Sequence, residues 1–348
     1  MNRTRAFSAI AALSVATTVF GGVRMLDFKG DLAAKADAAA KANASVVVGN
    51  DGWLFFASEL RHVSLGQFWG ESAKAVSKAS SPTRVDPLPA ILDFSEQLKK
   101  AGIDLLIVPV PAKATIYPEK IVAGTENSET ARLDAADAEF LGVLKQSGLN
   151  VIDLAPAFLK YRKDHPDQLL YSKEDTHWSG YGIGLASDLI AEQVRKEAWF
   201  VGVPQSKFTT ATAPAKVTGD LVQFAADPKP GPEEVVLTSV KDEKGGAVQA
   251  WRQSPLVLLG DSHNLVYSMG GEMLATSSGL PENLAAKIGF APDTVAVMGS
   301  GATPARINLA RRADNLAGKK MVVWCFTVRE FTESTQGWGK VPLIKPAQ

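Results

Sequence analysis

Apolar residues along this chain fall into two patterns, short unbroken runs and longer stretches with helical spacing. The unbroken runs are Asp104–Val110, Asn150–Leu154, Pro255–Leu259, Thr294–Met298 and Met321–Phe326. Between them, Leu88–Ala101 repeats Ile91, Phe94 and Leu98 at helical intervals, and Thr130–Ser147 and Tyr181–Ala198 each carry one apolar face. A short run that is apolar at nearly every position predicts a strand buried on both faces. Alternation of such runs with amphipathic helices predicts a mostly parallel sheet flanked by helices, so the fold class is α/β. Upstream, VVVGNDGWLFF at Val46–Phe56 predicts a hairpin, with Asn50–Gly52 as the turn between two apolar strands.

The rhythm breaks between Val203 and Arg252, where Pro, Lys, Asp and Gly dominate and Glu234–Ser239 is the single strand-like run. This stretch is expected to be an inserted, β-rich surface subregion of the domain. At the other end, Ala6–Val23 is an uncharged apolar run preceded by Arg3 and Arg5, the pattern of a secretory signal or an uncleaved membrane anchor. The alanine-rich Leu32–Ala44 stretch that follows predicts a helical spacer. The expected organisation is residues 1–25 as leader or anchor, 26–45 as spacer and 46–348 as the globular domain, with the insert at about 203–252.

Composition narrows the function classes. Lysine plus arginine (37) equals aspartate plus glutamate (37), so the chain as a whole has no electrostatic reason to seek nucleic acid. An apolar fraction of 46% with one membrane-length run excludes a polytopic membrane protein. With a single cysteine, Cys325, no internal disulfide can form, and its place in MVVWCF makes it small core filler. The leader implies export, with the protein in a periplasm or held at the outer face of an inner membrane.

The chemistry sits in two segments, EDTHWSGYG at Glu174–Gly182 and VLLGDSHN at Val257–Asn264. Residues i and i+2 of an extended segment point the same way, so Asp175 can lie beside the His177 ring and fix its tautomer. Ser262 follows an apolar run and a glycine, where a sharp turn at a strand tip would expose its hydroxyl. Sites in parallel sheets form at the carboxyl ends of strands, which is where Ser262 falls. Nucleophile, base and orienting acid are thus all present, in an order that triads on other folds do not fix. Each motif alone has a bland reading: GDS as a turn or helix cap, Asp175 and His177 as a satisfied buried pair.

These segments belong to a larger set. VVGNDGWLFFASELR at Val47–Arg61, VPVPAKATIYPE at Val108–Glu119, DTHWSGYG at Asp175–Gly182, TGDL at Thr218–Leu221, LLGDSHN at Leu258–Asn264 and VVWCFTVREF at Val322–Phe331 occur in order and at matching intervals. As a set they resemble the alginate O-acetyltransferases AlgJ and AlgX, an exported branch of the SGNH (GDSL) hydrolase superfamily. The resemblance implies an SGNH hydrolase-like fold, with Asp175 as acid, His177 as base and Ser262 as nucleophile in that branch's permuted order. It implies acetyl transfer onto an exported polysaccharide, no metal or organic cofactor, and a polytopic membrane-bound O-acyltransferase as the partner that supplies acetyl groups. One departure is local: that family's nucleophile segment more often reads GTS followed by an aromatic, where this chain has Gly260, Asp261, Ser262 and His263.

Residues around the triad carry paired expectations. The Ser262 N–H is a natural oxyanion donor, and Asn264, Tyr267 and Arg329 are candidates for the second. Arg329 stands where the family tends to carry an arginine, its bland reading being a surface ion pair with Glu330 or Glu333. Trp178 either packs the triad or borders the acceptor groove. Gly299, Ser300 and Gly301 either line an acyl pocket or form a plain turn, and Trp53 and Phe55 are expected in the core. Lys113 is expected as a solvated loop lysine, with substrate contact the alternative, and His62 and His165 as ordinary surface residues. Three other functions use the same residues. An acetylesterase would use water in place of the sugar. A metal-dependent phosphoesterase would use the two D-x-H pairs, Asp175–His177 and Asp261–His263. A non-catalytic polysaccharide-binding scaffold would stack sugars on Trp53, Trp178, Trp324 and Trp338.

Overall fold

A computed structural model describes residues 19–20, 23–125 and 131–344, so most of the apolar leader lies outside the described residues. Among the described residues no helix is long and apolar enough to cross a membrane. The first helix, α1 (Met25–Lys41), begins before the alanine-rich stretch and covers most of the expected 26–45 spacer. It is docked on the domain, with Phe28, Leu32 and Ala36 buried in the main core. The hairpin follows as β1 (Val46–Val48) and β2 (Leu54–Phe56), antiparallel with Val47 opposite Phe55. It runs into α2 (Ala57–Ser64).

Next come α3 (Pro87–Lys100), β3 (Asp104–Val110), α4 (Ala135–Gln146) and β4 (Asn150–Val151). The apolar run at 150–154 yields only a two-residue strand. Asp153 turns the chain by capping the Ala155 N–H at 3.2 Å, which opens α5 (Leu154–Asp164) inside the expected strand. Helix α6 (Gly180–Arg195) starts where Ser179 Oγ accepts the Tyr181 N–H, a cap of the kind that contributes about 1 kcal/mol. That cap fixes the exit of the segment holding Asp175 and His177.

The inserted region is a two-stranded ribbon, β5 (Thr209–Val217) against β6 (Glu233–Lys241), with Ala213 opposite Leu237. Strand β6 turns Val235, Leu237 and Val240 inward, whereas β5 is exposed along almost its whole length. The chain returns to the core as β7 (Leu256–Gly260), α7 (Leu280–Ile288), β8 (Asp293–Ala296), α8 (Thr303–Arg311) and β9 (Met321–Thr327).

The five core strands form one all-parallel sheet in the order β8-β7-β9-β3-β4. Central β9 pairs on both sides, with Cys325 opposite Gly260 and Val108. All seven of its residues are buried, and so are all five of β7. This is why both read as unbroken apolar runs. The carboxyl ends of β7 and β9 therefore lie side by side, and the site is built there.

Candidate active site

At the end of β7 the backbone turns so tightly that only glycine fits. A Cβ on Gly260 would lie 1.7 Å from the Cys325 carbonyl oxygen of β9. Asp261 then caps a single 3₁₀ turn, Ser262–Asn264, by accepting the His263 N–H at 2.9 Å, and its other oxygen accepts the Thr327 N–H of β9 at 2.7 Å. The aspartate of the GDS motif thus staples two strand ends together and leaves Ser262 at the tip.

The Ser262 hydroxyl donates to His177 Nε2 at 2.7 Å, and the His177 Nδ1–H donates to Asp175 Oδ1 at 2.5 Å. Asp175 Oδ1 also accepts the His177 N–H at 2.8 Å, and Oδ2 accepts the Asp220 N–H at 2.8 Å. Every acceptor site that orients the imidazole is therefore held from two directions. Burial alone would raise the Asp175 carboxyl. The charge and hydrogen bond of His177, with the two backbone N–H donors, outweigh it and bring the carboxyl down to about 2. For His177, burial works against the charged ring, yet the Asp175 charge and hydrogen bond and the Asp220 charge win and raise its pKa. An ionised acid beside a base whose conjugate acid is stabilised is the arrangement that serine activation needs.

Ser262 and His177 open onto a cleft of about 880 Å³. Thr176, Asp220, Gly299, Ser300 and Arg329 line it, and the exposed side chains of Phe224 and Met298 stand on its rim. Residues 46–328 match the family described as SGNH hydrolase-like domain, acetyltransferase AlgX. The chain belongs to this family.

Relatives and solved structures agree with that placement. The chain is 28% identical over 180 residues to the probable alginate O-acetylase AlgJ of Pseudomonas aeruginosa, covering 51% of this chain and 40% of that one. It is 26% identical over 230 residues to the probable alginate O-acetylase AlgJ of Pseudomonas putida, covering 63% and 54%. The chain spans about half the length of the curated relatives it matches. The O-acetyltransferase domain of Pseudomonas putida AlgJ superimposes with a TM-score of 0.60 at 20% identity, covering 84% of this chain and 94% of that one. Pseudomonas aeruginosa AlgX gives 0.59 at 17% identity, covering 81% and 61%. These likenesses establish the SGNH hydrolase-like fold.

Within this AlgX-type domain the other residues singled out from sequence separate by depth. Asn264 is fully buried and its amide hydrogens go to the Asp261 and Cys325 carbonyls, at 3.1 and 2.8 Å. Tyr267 is fully buried, its hydroxyl paired with Ser172 Oγ at 2.8 Å. Both brace the site from below, and neither faces the cleft where an oxyanion would form. Trp178 also packs behind the Asp175–His177–Ser262 relay, donating its Nε1–H to the His263 carbonyl at 3.1 Å. Arg329 does face the cleft. Its expected partners Glu330 and Glu333 are replaced by Glu59 at 3.6 Å, with the guanidinium over the Phe56 ring.

Two expectations about exposure are corrected. Lys113 is buried, and its ammonium donates to the carbonyls of Ser172, Lys173 and Asp175. The burial pulls its pKa down to about 8, opposed chiefly by Glu59 and Asp175. His62 is buried between Asp137 and Thr332, both at 2.9 Å, while His165 is exposed as expected. Trp53, Trp178, Trp324 and Trp338 are all buried, so none presents a face on which a sugar could stack.

Asp220 carried no expectation beyond its place in TGDL, yet it is the group that sequence reasoning most plainly missed. Its carboxylate lies 3.9 Å from His177 Nδ1. Burial first, and then the Asp175 charge, raise its pKa. It stands far from Asp175 and His177 in sequence, and only the resemblance of TGDL to the family pattern marked it.

Proposed function

We propose that the domain is a serine O-acetyltransferase that moves acetyl groups onto hydroxyls of an exported polysaccharide, with Asp175, His177 and Ser262 as its triad. The observation that carries this reading is the hydrogen-bond relay from Ser262 through His177 to Asp175 at the edge of an open cleft. His177 Nε2 takes the Ser262 proton as Oγ attacks the acetyl carbonyl of the donor. The Ser262 N–H holds the resulting oxyanion, and Arg329 is the cleft-facing candidate for the second donor. Collapse expels the donor oxygen, which takes the proton from His177 and leaves an acetyl-serine. A sugar hydroxyl then gives its proton to His177 and attacks that ester, which releases acetylated sugar and restores Ser262. Asp175 remains ionised throughout and stabilises the imidazolium.

The acetyl source follows from location. An exported enzyme has no access to cytoplasmic acetyl-CoA, so a polytopic membrane-bound O-acyltransferase would pass the group outward to this domain. The family membership and the leader-like N-terminus support a periplasmic site of action. Purified domain given an acetyl donor ester and polysaccharide fragments is expected to yield acetylated oligosaccharides, detected by mass spectrometry as added acetyl groups. Release of free acetate alone, with acetyl groups stripped from native polymer, would instead make it an esterase.

A metal-dependent phosphoesterase is the second reading, because Asp175, His177 and Asp220 offer three ligand atoms within 4.8 Å of one another. The atoms they offer are already committed to one another and to Thr176. Acetyl-ester turnover is therefore expected to be unchanged after dialysis against EDTA, and metal-restorable loss would favour the phosphoesterase. The pH dependence is equally specific. The neutral His177 ring is the reactive form and its pKa is raised above 6.5. So kcat/KM is expected to fall as pH drops through a value above 6.5, and a profile with no acid limb at all would contradict the assignment of His177 as base.

A further inference from the structure

The loop that carries the acid and base is gripped from both strands of the inserted ribbon, at the end where the two are joined. After β5, Asp220 Oδ1 accepts the Thr176 N–H and Oδ2 the Thr176 hydroxyl, both at 2.7 Å, while the Asp220 N–H donates to Asp175 Oδ2 at 2.8 Å. Leu221 N–H donates to the Glu174 carbonyl at 3.2 Å. At the first residue of β6, the Glu233 carboxylate accepts the N–H groups of Lys173 and Glu174 at 2.9 and 3.1 Å. Gly219 packs so closely on this loop that a Cβ there would lie 2.1 Å from the Glu174 carbonyl oxygen. The contacts run along residues 173–176, the stretch whose carbonyls at 173 and 175 also take the Lys113 ammonium.

We propose that Asp220 is a positioning residue for the acid–base pair, and that the inserted ribbon is the clamp holding Asp175 and His177 in register with Ser262. The proposal rests on the triad reading above. Asp175 Oδ1 serves His177 alone, so the carboxylate plane is fixed only if Oδ2 is also tied, and the Asp220 N–H ties it. The Asp220 carboxylate fixes the Thr176 backbone between the two catalytic positions and adds a second negative charge near His177. The charged or titratable groups around His177 are Asp175, Asp220, the His263 ring at 4.8 Å, Arg329 in the cleft, and Lys113 beneath Asp175. Burial, with the charges of His177 and Arg329, outweighs the Asp261 carboxylate and brings His263 down to about 4, so His263 is neutral. Asp261 is the third carboxylate nearby, bound to the His263 ring and to the His263 and Thr327 N–H groups, while Asp175 and Asp220 lie against His177 itself.

Two variants of the full chain separate charge from grip. Asp220→Asn keeps the backbone donor to Asp175 and an acceptor for Thr176 but removes the charge. Its acid limb for acetyl-ester hydrolysis is expected to move down by at least about 0.7 pH unit, the effect of one charge at this distance even in a water-like medium. Asp220→Ala also frees Thr176, and kcat is expected to fall about 100-fold with KM changed less than threefold. A purely structural role would not move the acid limb of the asparagine variant, which retains the loop contacts. Ser262→Ala in the same assay distinguishes the two failures. If Ser262→Ala stays active, the triad reading falls and this proposal with it. If Ser262→Ala is inactive while Asp220→Asn keeps the wild-type limb and Asp220→Ala the wild-type kcat, the positioning proposal alone is overturned.

Discussion

Ser262→Ala is expected to lower acetyl-ester turnover by about 10⁴-fold or more while leaving the thermal unfolding midpoint essentially unchanged. The chemical half of this expectation follows from geometry. Among the described residues the hydroxyl is the one group that both hydrogen-bonds His177 Nε2 and opens to the cleft. Structurally, the turn at the tip of β7 is set by Gly260, by the Asp261 cap and by the Asp261 bond to β9, none of which uses the serine side chain. A kinetic assay on a chromogenic acetyl ester, run beside a melting curve, checks both parts. Near wild-type turnover in a folded variant would remove Ser262 from the mechanism.

Asp175→Asn is expected to cost about 10⁴-fold in kcat with KM altered severalfold at most. The amide can still accept one hydrogen bond, but it cannot stabilise an imidazolium, and its NH₂ favours the tautomer with Nδ1 as acceptor. That tautomer leaves a proton on Nε2, where the serine proton must go. Two backbone donors now converge on this carboxylate, from His177 and Asp220, so the substitution also places an NH₂ where one of them points. Steady-state kinetics separate the outcomes: a loss confined to KM would put Asp175 in substrate contact instead of behind the base.

What was legible in the sequence was what local pattern can encode. The runs that became β3, β7 and β9 are apolar at nearly every position because both faces are covered, β8 at the sheet edge alternates buried and half-buried residues, and the helices between them carry a single stripe. Asp175 and His177 are two residues apart, and Ser262 directly follows a buried run, so the three could be nominated without structure. What escaped depends on long-range packing. Lys113 looks like any loop lysine until three carbonyls surround its ammonium. Asn264 and Tyr267 lie within a few residues of Ser262, yet their chain directions point their polar atoms into the floor. Asp153 ended a strand early through one side-chain bond that periodicity cannot register. The role of Asp220 requires a ribbon to fold back over a loop far behind it in the chain.

The strand order has a consequence for how the molecule is made. Of the five parallel strands, β9 is the last in sequence and sits in the middle, hydrogen-bonded to β7 on one side and β3 on the other. Until residues 321–327 have emerged, β3 and β7 each keep an unsatisfied apolar edge, and the turn bearing Ser262 has no Thr327 N–H to hold it. Non-local pairing of this kind makes folding slow and leaves sticky intermediates during synthesis. A ribosome-bound or partly translocated chain stalled before β9 would therefore hold every residue of the triad and still be inert, a natural client for a chaperone that shields strand edges.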